Sequence, residues 1–273
     1  MNEGVTGRAL SLHHLVAPDA SPCELVRIAA ELGCRHVCLF TQDPGVGMAF
    51  PIVTDTAMPE LLQCMSASGV TALGLAAFAL SPDTDVAAYQ PALERGARLG
   101  GAVATIRVAD ADEGRAIDRF AAFAELCADH AIVPSIEFMG FGAKAALAQA
   151  VHIVRAAGRG TIAVDALHMV RTGTSLADLR RLDRNLIGLV QLCDGPLRAT
   201  AEDYMREGPF DRLLPGEGEF PLRQLLDLTP ECLPVSLEVP CTRWQRRGVS
   251  AHERARRVVT ASAQLLATVE PQR

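Results

Sequence analysis

Short runs of uninterrupted apolar residues alternate with longer stretches in which apolar positions recur every three or four residues, from one end of the chain to the other. The runs at 9–13, 36–40, 70–76, 102–108, 132–138, 161–165, 186–192 and 234–238 read as strands. Their apolar residues are consecutive, not alternating, as expected of strands covered on both faces and hence of a parallel sheet wrapped by helices. The helical period spans 22–32, 54–68, 83–99, 111–130, 143–157, 175–182, 221–228 and 251–268. Punctuation agrees with these limits. Ser21-Pro-Cys-Glu24 is a capping box with proline at the first helical position, and Gly33, Gly69, Gly100 and Gly158 stand where helices stop. Eight strand–helix units in strict alternation predict a single (β/α)8 TIM barrel with parallel strands, one domain over residues 1–273. A doubly wound open sheet is the alternative. In a barrel, functional side chains belong at the C-terminal ends of the strands.

Four oxygen-bearing side chains lie at such ends: Glu137, Asp165, Gln191 and Glu238, separated by 28, 26 and 47 residues. Each gap is about one helix-plus-strand unit, the last enlarged by a loop. On neighbouring strands these side chains converge at one mouth. Three carboxylates there repel, and a divalent cation is the simplest physical reason to keep them together.

Composition narrows the classes. A chain of 273 residues with 49% apolar content can bury a large core, and with only 4% aromatics it packs chiefly Ala, Val and Leu. A net charge of −6 argues against a sequence-independent grip on nucleic acid. No run of about 18 apolar residues could span a membrane, and the amino terminus lacks the basic-then-apolar layout of a secretory signal. The eight cysteines include no CxxC pair, so a reduced, cytoplasmic chain is expected. Lys144 is the only lysine, which leaves one position for Schiff-base or lysine-phosphate chemistry.

The segment Val164-Asp-Ala-Leu-His-Met-Val-Arg-Thr-Gly173 resembles the D-x-x-H signature of the xylose isomerase-like sugar phosphate isomerase/epimerase superfamily. Arg212-Leu-Leu-Pro-Gly-Glu-Gly218 is similar to its R-x-x-P-G-x-G element, and the resemblance is strong over 132–240. It implies one divalent ion held by Glu137, Asp165, Gln191 and Glu238. Gln191 stands where many sugar epimerases have histidine, and an all-oxygen set favours Mn2+ or Mg2+ over zinc. Gln191 with Asp194-Gly-Pro196 is also similar to 3-dehydroshikimate dehydratases of this barrel class. Some of those enzymes carry a histidine two residues past the strand-five glutamate, where this chain has Met139.

The substrate implied is a small polyhydroxylated carbonyl compound. Glu137 and Glu238 are the expected acid–base pair, and His168 a substrate contact or proton carrier. Arg212 and Arg171 can take an anionic group bidentately, with Arg107 a further candidate. One of His13 and His14 should face the cavity, and Asp194 should shape the long loop of residues 196–218. Isomerisation, epimerisation and dehydration share such a site, with isomerase or epimerase favoured. An abasic-site endonuclease would need a histidine-rich zinc cluster and a basic face. A non-catalytic binding barrel would hold no ion. Barrels of this class assemble as dimers or tetramers, so a homo-oligomer is a further expectation.

Overall fold

The computed structural model describes residues 8–43, 50–143 and 145–269. Eight parallel strands close on themselves in sequence order: β1 Leu10–His13, β2 His36–Phe40, β3 Thr71–Leu80, β4 Val103–Val108, β5 Val133–Glu137, β6 Thr161–Asp165, β7 Ile187–Leu192 and β8 Val235–Leu237. Leu10, Ser11 and Leu12 pair with Val235, Ser236 and Leu237, so β8 meets β1 and no sheet edge is left. The closed ring excludes the doubly wound alternative.

Around the ring lie α1 Pro22–Glu31, α2 Met58–Ser68, α3 Gln90–Arg98, α4 Glu113–Ala128 and α5 Ala146–Ala157. They are followed by α6 Ala166–Thr172, α7 Leu176–Arg181, α8 Ala201–Glu207, α9 Leu222–Leu228, α10 Thr242–Gln245 and α11 Ala251–Leu266. The capping box at α1 forms as the sequence implies. Ser21 Oγ accepts the Glu24 N–H, and Glu24 accepts the Ser21 N–H at 2.7 Å. The main core fills the space between barrel and helices, with Phe78 of β3 against Phe123 of α4 at 5.2 Å between ring centroids. A smaller cluster of Cys38, Leu73, Val103, Ala163 and Leu189, from β2, β3, β4, β6 and β7, fills the barrel interior.

Three features depart from the sequence reading. First, α6, α8 and α10 add to the eight expected helices, and all three follow C-terminal strand ends. They are four to seven residues long, too short for a helical period to stand out against loop composition. Second, β3 runs four residues past the expected end, because Phe78, Ala79 and Leu80 pair with Ile106, Arg107 and Val108 of β4. Third, the expectation that all cysteines are reduced is corrected at one pair. Cys23 and Cys64 form a disulfide with Cα atoms 5.9 Å apart, since α1 and α2 pack side by side and join positions 41 residues apart. The other six cysteines are free, five of them buried. Lys144 and residues 44–49 of the loop after β2 lie outside the described residues. Among those described, no helix is long and apolar enough to cross a membrane.

Candidate functional site

Side chains alternate across a strand, so a residue two positions past a barrel-interior residue also points inward, one step nearer the mouth. Ala163 and Leu189 are interior, and Asp165 and Gln191 follow them at that spacing and pair in register. Val103 is interior, and Thr105 and Arg107 follow on β4. Glu137 closes β5, and Glu238 follows β8 with its N–H on the Leu192 carbonyl at 3.0 Å. The four nominated side chains therefore meet on one rim. Carboxylate oxygens of Glu137, Asp165 and Glu238 all lie within 4.8 Å of one another.

The D-x-x-H spacing has a local cause. Asp165 is the N-cap of α6, and its Oδ1 accepts the His168 N–H at 3.0 Å, which turns His168 toward the mouth. Tyr204 of α8 accepts the Gly140 N–H at 3.1 Å and lies 2.9 Å from His168 Nδ1. In the tautomer where the phenol gives its proton to Nδ1, the ring carries its own proton on Nε2. That nitrogen faces Glu137 Oε1 at 3.9 Å. Burial, ahead of the opposing pull of Asp165, lowers the His168 pKa and keeps the imidazole neutral. Tyr204 escaped the sequence reading. The available signal was its rarity, as one of only two tyrosines in the chain.

Of the His13–His14 pair, His13 faces the carboxylate cluster, although it is not among the residues lining the cavity. Its Nδ1 accepts the Leu15 N–H at 3.2 Å, which leaves Nε2–H facing Glu238 Oε2 at 3.7 Å. Burial, then Arg212, lowers its pKa to about 3. His14 turns away and bonds the Ala20 carbonyl through Nε2 at 2.9 Å. Burial lowers the His14 pKa to about 4 from 6.5, partly opposed by that carbonyl. The unfolded chain binds a proton there near pH 6.5, so the stability His14 contributes is complete above that pH and drains as pH falls toward 4. Between pH 7 and pH 5 wild-type protein should lose about 2 kcal/mol more unfolding free energy than the His14→Gln variant. Urea titrations at the two pH values check this. Equal losses would mean that His14 is not held neutral.

The three nominated arginines part company. Arg212 uses every N–H inside the protein: Asp165 Oδ2 at 2.8 Å, Glu238 Oε1 at 2.9 Å, the Glu238 carbonyl at 3.2 Å, and the Gly208 carbonyl at 3.1 and 3.3 Å. The R-x-x-P-G-x-G element holds it there. Gly216 has φ +91° and gives its N–H to Asp194 Oδ2 at 2.9 Å, while a Cβ on Gly218 would fall 2.6 Å from the Gly195 carbonyl oxygen. Asp194 also accepts the Gly195 and Phe220 N–H groups, the loop-shaping role expected of it. Arg171 is buried in a bidentate pair with Glu207, at 2.7 and 2.8 Å, and covers the Phe220 ring, away from the cavity. Arg107 lines the cavity and makes no hydrogen bond or ion pair among the described residues.

Burial, then Glu238 and Asp165, pushes the Glu137 pKa well above the carboxylate range. Glu238 is raised by burial against the pull of Arg212. Burial also disfavours charge on Asp165, but Arg212 and His168 outweigh it and hold that carboxyl low. When all three carboxyls are ionised, the Arg212 guanidinium leaves two negative charges, which one divalent cation would neutralise. Gln191 Nε2 donates to Glu238 Oε2, and Gln191 Oε1 is buried without a partner among the described residues. An orphaned amide oxygen beside three clustered carboxylates is the donor set of a hard cation. The residues present fit the ion.

A cavity of about 450 Å³ opens over this cluster. Glu137, His168, Arg212 and Glu238 form one wall, and Met139 and Tyr204 stand beside them. The opposite wall, from the turn after β1, from β2 and β3, and from the loop after β2, is Leu15, Phe40, Phe50, Ala77 and Phe78.

Comparison with curated proteins finds no match. Solved structures with the same fold include the IolI protein with a bound zinc atom, 15% identical with a TM-score of 0.78 over 97% of this chain and 100% of that one. A xylose isomerase domain-containing protein from Salmonella typhimurium LT2 is 17% identical, with a TM-score of 0.77 over 97% and 100%. D-allulose 3-epimerase from Methylomonas sp., in complex with D-allulose, is 13% identical, with a TM-score of 0.69 over 97% and 99%. The family model described as xylose isomerase-like TIM barrel matches residues 26–261, a span that includes every strand but β1 and all four members of the rim cluster. The chain belongs to the xylose isomerase-like TIM barrel family.

Proposed function

We propose that this protein is a divalent-metal-dependent isomerase or epimerase that moves a proton next to a carbonyl in a small hydroxylated substrate. One observation carries the reading: the Gln191 Oε1, buried and unpartnered among the described residues, beside the three clustered carboxylates at the barrel mouth. Glu137, Asp165, Gln191 and Glu238 would hold the ion, and the all-oxygen set selects Mn2+ or Mg2+. When bound, such an ion supplies positive charge that polarises a substrate carbonyl.

This chain's side chains do the rest. Glu137, which makes no hydrogen bond of its own, takes the proton from the carbon beside the carbonyl. His168 donates Nε2–H to a substrate oxygen, and Tyr204 keeps that tautomer in place. Glu238, protonated at the start and ionised at the end, gives its proton to the other face of that carbon and inverts the centre. Alternatively, Glu137 returns its proton to the neighbouring carbon while a hydroxyl proton passes between the two substrate oxygens, which moves the carbonyl. Dehydration would use the same groups but needs a donor for a departing hydroxyl, and Met139 lines the cavity where that histidine stands in some dehydratases. Arg212 places no free N–H toward a ligand, so its part is to hold Asp165 and Glu238 in position. Shared architecture with the zinc-bound IolI protein and the D-allulose 3-epimerase supports the reading at the level of fold.

Two measurements test it together. Mn2+ at about 100 times its Kd should stabilise EDTA-treated protein by about 2.7 kcal/mol, a Tm rise of about 5 °C. In D2O, a panel of ketoses, inosoles and 3-dehydroshikimate incubated with Mn2+-loaded protein should yield one compound carrying carbon-bound deuterium. No thermal response to Mn2+ and no deuterium in any compound would sink the proposal and favour a non-catalytic barrel.

A further inference from the structure

The cavity does not look like a sugar site on every side. Its β5–β8 wall carries the charged groups, but its β1–β3 wall offers Leu15, Phe40, Phe50, Ala77 and Phe78, with no polar side chain among them. Phe40 and Phe50 stack at 4.7 Å between centroids, and Phe40 also meets the edge of His13 at 5.7 Å. A polyhydroxylated chain laid against that wall would lose hydration without gaining hydrogen bonds, whereas an apolar body would gain burial.

Arg107 stands where the two walls meet. On β4 it follows Thr105 on the inward face, with Glu137 on the next strand. It is the cavity's only cation with unused donors among the described residues, because Arg212 is saturated and Arg171 belongs to Glu207. A partly buried guanidinium with five free N–H groups is a bidentate receptor for a carboxylate.

We propose that the substrate is a monocarboxylate with an apolar body, ring or alkyl: Arg107 takes the carboxylate, and the Leu15–Phe40–Phe50–Ala77–Phe78 wall takes the body. The inference deepens the proton-transfer reading and rests on it only for what happens to the ligand after it binds.

The test is calorimetric binding of four probes, with and without Mn2+, at neutral pH. 3-Phenyllactate is apolar and acidic, 2-hydroxyacetophenone apolar and neutral, glycerate polar and acidic, and D-fructose polar and neutral. Phenyllactate should bind about 10-fold more tightly than each of the other three. Arg107→Met should remove about 10-fold or more of the phenyllactate affinity and leave hydroxyacetophenone unchanged. Phe50→Asn should weaken both apolar probes. Circular dichroism and an unchanged Tm establish that the variants fold. D-Fructose binding as tightly as phenyllactate, no binding of phenyllactate, or an Arg107→Met protein with wild-type affinity for it would overturn the inference.

The two readings fail separately. Phenyllactate binding without any Mn2+ response removes the metal-dependent chemistry and keeps the substrate class. Mn2+ binding with deuterium exchange into D-fructose, and no phenyllactate binding, does the reverse.

Discussion

Glu137→Gln protein should lose about 1,000-fold or more in turnover while unfolding no more easily than wild type. The first half follows from the loss of a general base, commonly worth ~100- to 10,000-fold, together with one oxygen donor to the ion. The second half follows from the local electrostatics. The Glu137 carboxyl makes no hydrogen bond, and burial, Glu238 and Asp165 all oppose its charge. A neutral amide of the same shape relieves that repulsion, so the metal-free variant should match wild type or exceed it by about 1 kcal/mol, the scale of one pKa unit. A merely structural glutamate would show the opposite pattern, with lower stability and intact turnover. Thermal unfolding in EDTA, Mn2+ titration and turnover on the compound found by deuterium exchange read all three quantities. Full turnover with full Mn2+ affinity would refute the assignment.

Arg212→Met should have the largest effect on stability, and the effect should depend on metal. Arg212 bonds Asp165 and Glu238 at once, and all three side chains are nearly inaccessible to solvent. Removing one partner of a buried ion pair leaves an uncompensated charge and costs about 3–5 kcal/mol. Here the cost falls on a cluster already short of positive charge. In EDTA the variant's Tm should fall by roughly 6–10 °C at about 2 °C per kcal/mol. Mn2+ or Mg2+ should recover much of that loss, because the added cation supplies the charge that the guanidinium gave up. The Tm difference between wild type and variant, measured with and without Mn2+, is the deciding quantity. A difference that metal leaves unchanged would mean that the cluster does not bind a cation.

The two variants probe one device from opposite sides. Glu137 is a carboxyl that the protein leaves without a hydrogen bond and whose charge it disfavours, and Arg212 is a charge the protein surrounds completely. If the proposed chemistry holds, this asymmetry separates a group that moves protons from a group that holds the cluster together.

Much of this was legible from residues alone. Continuous apolar runs alternating with helical periods depend on near-neighbour sterics and burial, so they report the barrel without knowledge of any distant contact. Glu137, Asp165, Gln191 and Glu238 stood out because a charged or amide group at the end of an apolar strand is costly without a partner. In a closed barrel equivalent strand ends must meet, and they do. The division of labour among the arginines was hidden. Arg107, Arg171 and Arg212 looked interchangeable as anion receptors, and only contacts across 26 to 47 residues show that Glu207 occupies one and that Asp165 and Glu238 occupy another. Tyr204, the Cys23–Cys64 disulfide and the apolar wall opposite the carboxylates were hidden for the same reason. Local periodicity decides which elements form and which way their side chains face. Which donor meets which acceptor is decided by long-range packing, and among the described arginines lining the cavity packing ties down Arg212 and leaves Arg107 without a hydrogen bond.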